Sequence, residues 1–290
     1  MNNPRFALAA LVGVFGMVAT APAYVFYGVT AGGSLVSFDN GTPGIFNSSV
    51  AITGLQNGES LVGLDFRPSG GALYAIGSTS RMYTLNRITG LATQVGAAGA
   101  FTLSGTRFGV DFNPVPDRLR VTSNLEQNLR LNPNDGTLTM MDGNLSYAAG
   151  DPNVGANPNV VASGYTNSFA GAATTTLYDI DSNLDILVTQ NPPNNGTLNT
   201  VGALGINFSD VSDMDILFDG GLNFGFASTN IVGGPSSFYT LNLGTGAATL
   251  VGNFSTTVNL IAAQPVPEPA TLIVLAIGGV AALSRKRRKN

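Results

Sequence analysis

The sequence predicts an all-β protein, a β-propeller of about five four-stranded blades, on three observations. One segment recurs: Met82–Gly96 and Phe238–Gly252 agree at ten of fifteen positions without a gap. The turn glycines of this segment and its weaker copies fall at Gly41, Gly90, Gly136, Gly196 and Gly246, separated by 49, 46, 60 and 50 residues. A period near fifty is that of a propeller blade. Each copy alternates apolar and polar residues on both sides of a turn such as Asp135-Gly136 or Asn195-Gly196, which is the pattern of a half-buried hairpin. A β-sandwich or an open β-solenoid is the rival architecture.

The chain opens with a segment outside this fold. Arg5 supplies a positive start, Phe6 to Val18 is almost uninterruptedly apolar, and Ala21 and Ala23 put small residues where a signal peptidase reads. Residues 1–23 are therefore read as a signal helix, with the mature chain beginning at Tyr24. The first repeat, Val25 to Phe46 around Asn40-Gly41-Thr42, has outer strands but no inner strand before it. The second has both hairpins, Leu61–Phe66 with Ala72–Ile76 and then Met82–Gly96. The third pairs Arg107–Phe112 with Arg118–Val121, followed by Leu129–Met141.

The fourth repeat follows a Gly/Asn/Pro-rich stretch, Asp142–Asn167, and reads as strands Thr175–Ile180 and Asp185–Thr189 leading to Asn195–Gly202. A sixth blade would fit if the 60-residue interval conceals extra strands. The fifth begins at Val211–Ile216 and ends with the Phe238–Gly252 copy. Val258–Ala263 is an inner-type strand with no outer strands after it. One blade shared between the two ends would close the ring and remove a free edge. No stretch of residues 24–265 sustains a 3.6-residue apolar period over three turns, so helices are not expected there.

The last segment, residues 266–290, has three parts: Pro267-Glu268-Pro269, an apolar run from Ala270 to Leu283, and five cations from Arg285 to Lys289. As a helix the run would reach ~21 Å, short of a hydrocarbon core of ~30 Å. The cations would stay cytoplasmic. This order resembles the PEP-CTERM sorting signal of exopolysaccharide-producing bacteria. The resemblance implies a chain held at the inner membrane by its C-terminal hydrophobic helix, processed by an exosortase near Pro267, Glu268 and Pro269, and delivered to the cell surface or extracellular matrix. Signal peptidase and exosortase are the partners it implies.

Composition excludes more chemistry than it admits. Both lysines, Lys286 and Lys289, lie in the tail, and the chain has no histidine and no cysteine. Residues 24–265 carry seven arginines against sixteen acids, a formal charge of −9. An acidic, lysine-free body offers no patch for phosphate backbones, so no nucleic-acid partner is expected. Ser-His-Asp triads, thiol nucleophiles, disulfides and the usual zinc sites are excluded. Carboxylate acid/base work, tyrosine chemistry and oxygen-ligand binding of a hard cation remain.

A second resemblance rests on Gly63-Leu64-Asp65-Phe66-Arg67-Pro68 with Leu73-Tyr74-Ala75, on Gly109-Val110-Asp111-Phe112-Asn113-Pro114, and on Thr176–Asp181 leading to Gln190-Asn191-Pro192-Pro193-Asn194-Asn195-Gly196. These blocks are similar to the bacterial domain of unknown function 4394 across most of Tyr24–Gln264. That family carries no established activity, so the resemblance supports the repeat and assigns no catalytic residue.

Three groups of residues carry the remaining chemistry. Asp179, Asp181 and Asp185 place oxygens at alternate positions, as the opening of a calcium loop does, but Leu184 and Gln190 stand where such a loop needs glycine and glutamate. A hairpin with its turn at Ser182-Asn183 explains the same residues; a weak Ca²⁺ site is the alternative, and no other cofactor is expected. Asp65, Asp111 and Asp215 occupy one register position in three repeats, where they serve either a shared structural task or a cation or glycan at the channel mouth. Arg118 and Arg120 fall on one strand face, either to bind an acidic ligand or to pair with nearby acids in solvent. Tyr147 and Tyr165 are expected to stack on sugars or to pin a long loop. The expectation is an exported, non-catalytic binding or structural propeller whose partner is a polysaccharide or a surface protein. The alternative is a carbohydrate-active enzyme using the aspartates.

Overall fold

The computed structural model describes residues 23–230 and 234–266. The signal helix, Ala21, the Pro267-Glu268-Pro269 site and the apolar tail lie outside the described residues. Ala23 is exposed at the beginning of the fold. The described strands form five sheets around one axis.

The first blade contains β1 (Val25–Thr30), β2 (Ser34–Asp39) and β3 (Phe46–Ala51). The second runs β4 (Leu61–Phe66), β5 (Leu73–Gly77), β6 (Arg81–Leu85) and β7 (Ala92–Val95). The third runs β8 (Phe108–Asn113), β9 (Arg118–Ser123), β10 (Asn128–Leu131) and β11 (Leu138–Met141). A short strand, β12 (Ser146–Tyr147), precedes the fourth, which is β13 (Val160–Tyr165), β14 (Leu177–Asp181), β15 (Ile186–Gln190) and β16 (Thr197–Ala203). The fifth is β17 (Ser212–Asp219), β18 (Leu222–Asn230), β19 (Ser236–Leu241) and β20 (Ala248–Asn253). The last strand, β21 (Val258–Ala263), pairs with β1 and takes the innermost place of the first blade. The ends of the chain therefore share a blade, as predicted.

The blade count is five. The long interval is absorbed by β12, which adds a fifth, parallel strand outside β16. β13 is the one inner strand without a sequence counterpart in the predicted pattern. It lies within the Gly/Asn/Pro-rich stretch, and all six of its residues are buried.

Neighbouring blades adhere through apolar faces. Leu64, Phe66, Leu85 and Leu260 pack between the first and second blades. Ile76, Val110 and Leu129 pack between the second and third, and Ile180, Ile216 and Tyr239 between the fourth and fifth. The closing seam between fifth and first is aromatic: Phe26, Phe38, Phe226 and Phe238 meet with ring centroids 4.9 to 5.6 Å apart. Such pairs add to the burial that keeps the ring shut.

The repeated turn glycine has a packing role. Gly90, Gly136, Gly196 and Gly246 each abut the backbone at or just after the end of the preceding blade's outer strand, at Ala51, Val95, Asn144 and Gly202. Gly136 has φ +72°, and a Cβ there would fall inside contact distance of the Val95 carbonyl oxygen. In the first blade the counterpart is Gly44, which approaches Asn253, whereas the predicted turn glycine, Gly41, touches no neighbour. Gly44 is the fifth of the six residues between β2 and β3, the place that Gly90, Gly136 and Gly246 hold in their own six-residue turns, so the predicted register of the first copy is corrected by three residues.

Candidate functional site

All five inner strands run the same way along the axis, which gives the ring two distinct ends. At the mouth end the inner strands begin. At the exit end they finish, and the chain itself enters and leaves there.

Asp65, Asp111 and Asp215 do converge: one carboxylate oxygen of each lies within 4.8 Å of the others. They are buried at 3%, 2% and 4% exposure, and their oxygens accept backbone hydrogen bonds across blade boundaries. The Phe112 amide donates to Asp65 Oδ2 at 2.7 Å, the Tyr165 amide to Asp111 Oδ1 at 3.1 Å, and the Ala263 amide to Asp215 Oδ2 at 2.6 Å. Asp213, two residues before Asp215, repeats the device with the Ile261 amide at 2.9 Å. A carboxylate in this position satisfies an inner-strand amide that no fifth strand reaches. The shared task is therefore the stapling of each blade to the next.

Burial sets their protonation. Desolvation, reinforced by mutual repulsion, raises Asp65 and Asp111 well above the ordinary carboxylate range, and desolvation raises Asp215 to about 6. No arginine forms an ion pair with any of them among the described residues. The cluster is an oxygen-only donor set of the kind hard cations take, but a glycan has no access to carboxyls this deeply enclosed.

Arg118 and Arg120 share a strand face as predicted and then part company. Arg118 donates to its local carbonyls, Pro116 O at 3.3 Å and Asp117 O at 2.9 Å. Arg120 is 1% exposed, and its guanidinium donates to Tyr165 Oη, Asn128 Oδ1, Asp142 Oδ2 and Asn194 Oδ1. Arg130 adds two more bonds to Asp142. The expected solvated pairing is corrected to a buried clamp between the third and fourth blades. It explains why Gln190–Gly196 departs from the simple repeat: that loop, with the 3-10 turn Pro193–Asn195, brings Asn194 to Arg120. Tyr165 and Tyr147 are buried too, so neither is an exposed sugar platform.

The calcium-loop aspartates do not assemble. Asp181 accepts from the Tyr147 hydroxyl at 2.5 Å and from the Asn183 and Leu184 amides, and Asp185 accepts from the Phe208 amide at 2.7 Å. This is the hairpin reading. Asp179 is buried, accepts from Ser163 Oγ at 2.6 Å, and leaves Oδ2 without a partner. Burial pushes its carboxyl up to about 7.

An open site lies elsewhere, at the mouth end. A cavity of about 150 Å³ on the axis is bordered by Ser60, Thr106, Arg107, Asp210, Ser212 and Asn259, above a floor that includes Val161 and Leu260. It shares Ser60, Leu61 and Asn259 with a neighbouring hollow of about 560 Å³ between the first two blades. Arg107 is exposed and has no carboxylate partner among the described residues. Asp210 Oδ1 accepts from Asn159 and Ser182 at 2.8 Å. These groove residues were not singled out in the sequence because Ser60, Thr106, Arg107 and Asp210 sit in the connections before inner strands, where the copies differ most, while Ser212 and Asn259 are among the first two residues of theirs. Their common signal is position: each lies at or just before the start of an inner strand.

Five blades, a shared closing blade and a polar mouth define a small β-propeller. The chain belongs to the family described as domain of unknown function (DUF4394), whose model matches residues 34–262. A PEP-CTERM protein-sorting motif matches residues 265–289, which marks an exported protein with a C-terminal, membrane-anchoring sorting signal processed by exosortase. Among solved structures, dihydro-heme d1 dehydrogenase NirN in complex with DHE is similar over 82% of this chain and 46% of its own, at 12% identity and a TM-score of 0.39. The chain thus spans about half the length of that structure. No curated protein matches it.

Proposed function

We propose that this protein is an exported, non-catalytic binding propeller that takes a segment of polysaccharide in the mouth-end groove. The observation that carries this reading is the pair of neighbouring hollows, the first bordered by hydroxyl, amide, guanidinium and carboxylate groups and the second sharing Ser60, Leu61 and Asn259 with it. Hydroxyl and amide groups of this kind, with the charged Arg107 and Asp210 beside them, match sugar hydroxyls. The sorting signal, found where exopolysaccharide is exported, supports the ligand class.

Burial argues against the enzymatic alternative. A glycosidase needs two carboxyls flanking a reachable bond, whereas Asp65, Asp111 and Asp215 are enclosed and hydrogen-bonded to strand amides. The groove's Asp210 is held by Asn159 and Ser182. The test is calorimetric titration of the full-length protein with exopolysaccharide fragments, alongside Arg107→Ala and Asn259→Ala variants. Binding that weakens tenfold or more in both variants, without release of reducing sugar, is the expected result. Binding unaffected by either substitution, or turnover of the fragments, would overturn the proposal.

A further inference from the structure

The exit end of the ring carries features that the groove does not explain. β1 begins where β21 finishes, with Phe26 paired to Ala263, so the fold's first and last residues emerge side by side. The turns from inner to second strands lie at this end as well. They bring out Val115, between β8 and β9, and Leu222, at the start of β18, at 47% and 61% exposure. Beside the chain exit, Gly71, Asn86, Arg87, Ile88 and Gln264 border a hollow of about 570 Å³. Ile88 is 84% exposed there. Arg87 lies over the Tyr27 and Phe66 rings at 5.7 and 5.6 Å, with no carboxylate partner among the described residues.

Chain length decides what this end faces. Val266 still packs against the aromatic seam, and only residues 267–269 separate it from the apolar run that begins at Ala270. Three residues of fully extended chain reach at most ~10 Å. While the sorting signal holds the apolar run in the bilayer, the exit end has no spacer that would let it turn away from the lipid.

We propose that the exit end is seated on the periplasmic leaflet of the inner membrane, with Ile88, Leu222 and Val115 in the headgroup layer and Arg87 beside lipid phosphates. Exposed apolar side chains and a cation carried on a rigid face are the groups that such an interface accepts. The groove is then turned away from the membrane, toward exported material. This orientation rests on the sorting signal and the strand directions, and holds whatever the groove binds.

The chain is free of cysteine, so single cysteines report position directly. Full-length I88C, L222C, L125C and L184C variants, each labelled with an environment-sensitive fluorophore, are reconstituted in phosphatidylethanolamine/phosphatidylglycerol vesicles containing headgroup nitroxide lipid. Leu125 and Leu184 sit in the exposed turns at the mouth end and serve as the distal pair. All four side chains are exposed, and melting curves check that each variant is folded. Quenching at positions 88 and 222 at least threefold greater than at 125 and 184 is expected. Equal quenching at the two ends, quenching stronger at 125 and 184, or none at any position would overturn the proposal.

Discussion

Asp179 offers a measurable consequence of burying an acid without a full set of partners. Its Oδ1 accepts the Ser163 hydroxyl and its Oδ2 has no donor, while burial raises the carboxyl from 3.8 to about 7 against the opposing pull of Ser163 and Arg120. Below pH 3.8 the native and unfolded chains are both protonated there, and the full stability is present. Between 3.8 and about 7 the native state keeps a proton that the unfolded chain has released, so stability falls as pH rises through this window. At about 1.4 kcal/mol per pH unit, the loss by pH 8 amounts to ~4 kcal/mol as an upper limit. Asp179→Asn removes the titration. Its amide nitrogen inherits the unpartnered position, which costs ~1–2 kcal/mol at every pH. The variant is therefore expected to be less stable than the parent at pH 4 and more stable at pH 8. Urea denaturation across pH 4 to 9 reads both slopes. A parent protein whose stability is level across that range, or a variant that follows the parent's slope, would refute the reasoning.

Other substitutions test the remaining devices. Gly136→Ala forces a side chain into a left-handed turn and against Val95; ~2–3 kcal/mol of destabilisation is expected by thermal denaturation, with Gly41→Ala close to neutral. Arg120→Met leaves Asp142 buried with Arg130 alone and is expected to cost ~3–5 kcal/mol, whereas Arg118→Ala, beside it in sequence but bonded only to local carbonyls, should change stability by ~0.5 kcal/mol or less. Addition of EDTA is expected to leave the melting temperature unchanged, because Asp181 and Asp185 already accept hydroxyl and amide donors and Asp65, Asp111 and Asp215 accept strand amides. A fall of several degrees would show that a cation contributes to the native state.

The fold was largely legible because each blade solves the same packing problem with the same residues. Asn86, Asn132 and Asn242 each accept the amide of a turn glycine four positions later, and that glycine abuts the preceding blade. Such a turn leaves an identical mark in every copy, so spacing alone exposes the blade length. β13 escaped because it carries Gly164 where three of the other inner strands place aspartate, and it lies within the Gly/Asn/Pro-rich stretch. Nothing in Val160–Tyr165 needed to resemble the inner strands on either side. Arg120 was visible as a residue but not as a clamp, since its partners Tyr165 and Asn194 lie 45 and 74 residues away.

The same logic separates structure from site. A residue that recurs in register meets a need shared by all blades, and Asp65, Asp111 and Asp215 meet it by bonding inner-strand amides of the next blade. A ligand breaks the symmetry of the ring, so its contacts must come from positions where the blades differ. Ser60, Arg107, Asp210 and Asn259 are such positions: they are register equivalents or near-equivalents around one rim, yet no two are the same residue. A repeat protein without histidine, cysteine or body lysine thus displays its scaffold chemistry in the repetition, and a ligand site is to be sought in the departures from it. The departures serve more than one end: Gln190–Gly196 meets Arg120 at the seam of the third and fourth blades, whereas the residues proposed to bind lie where the inner strands begin.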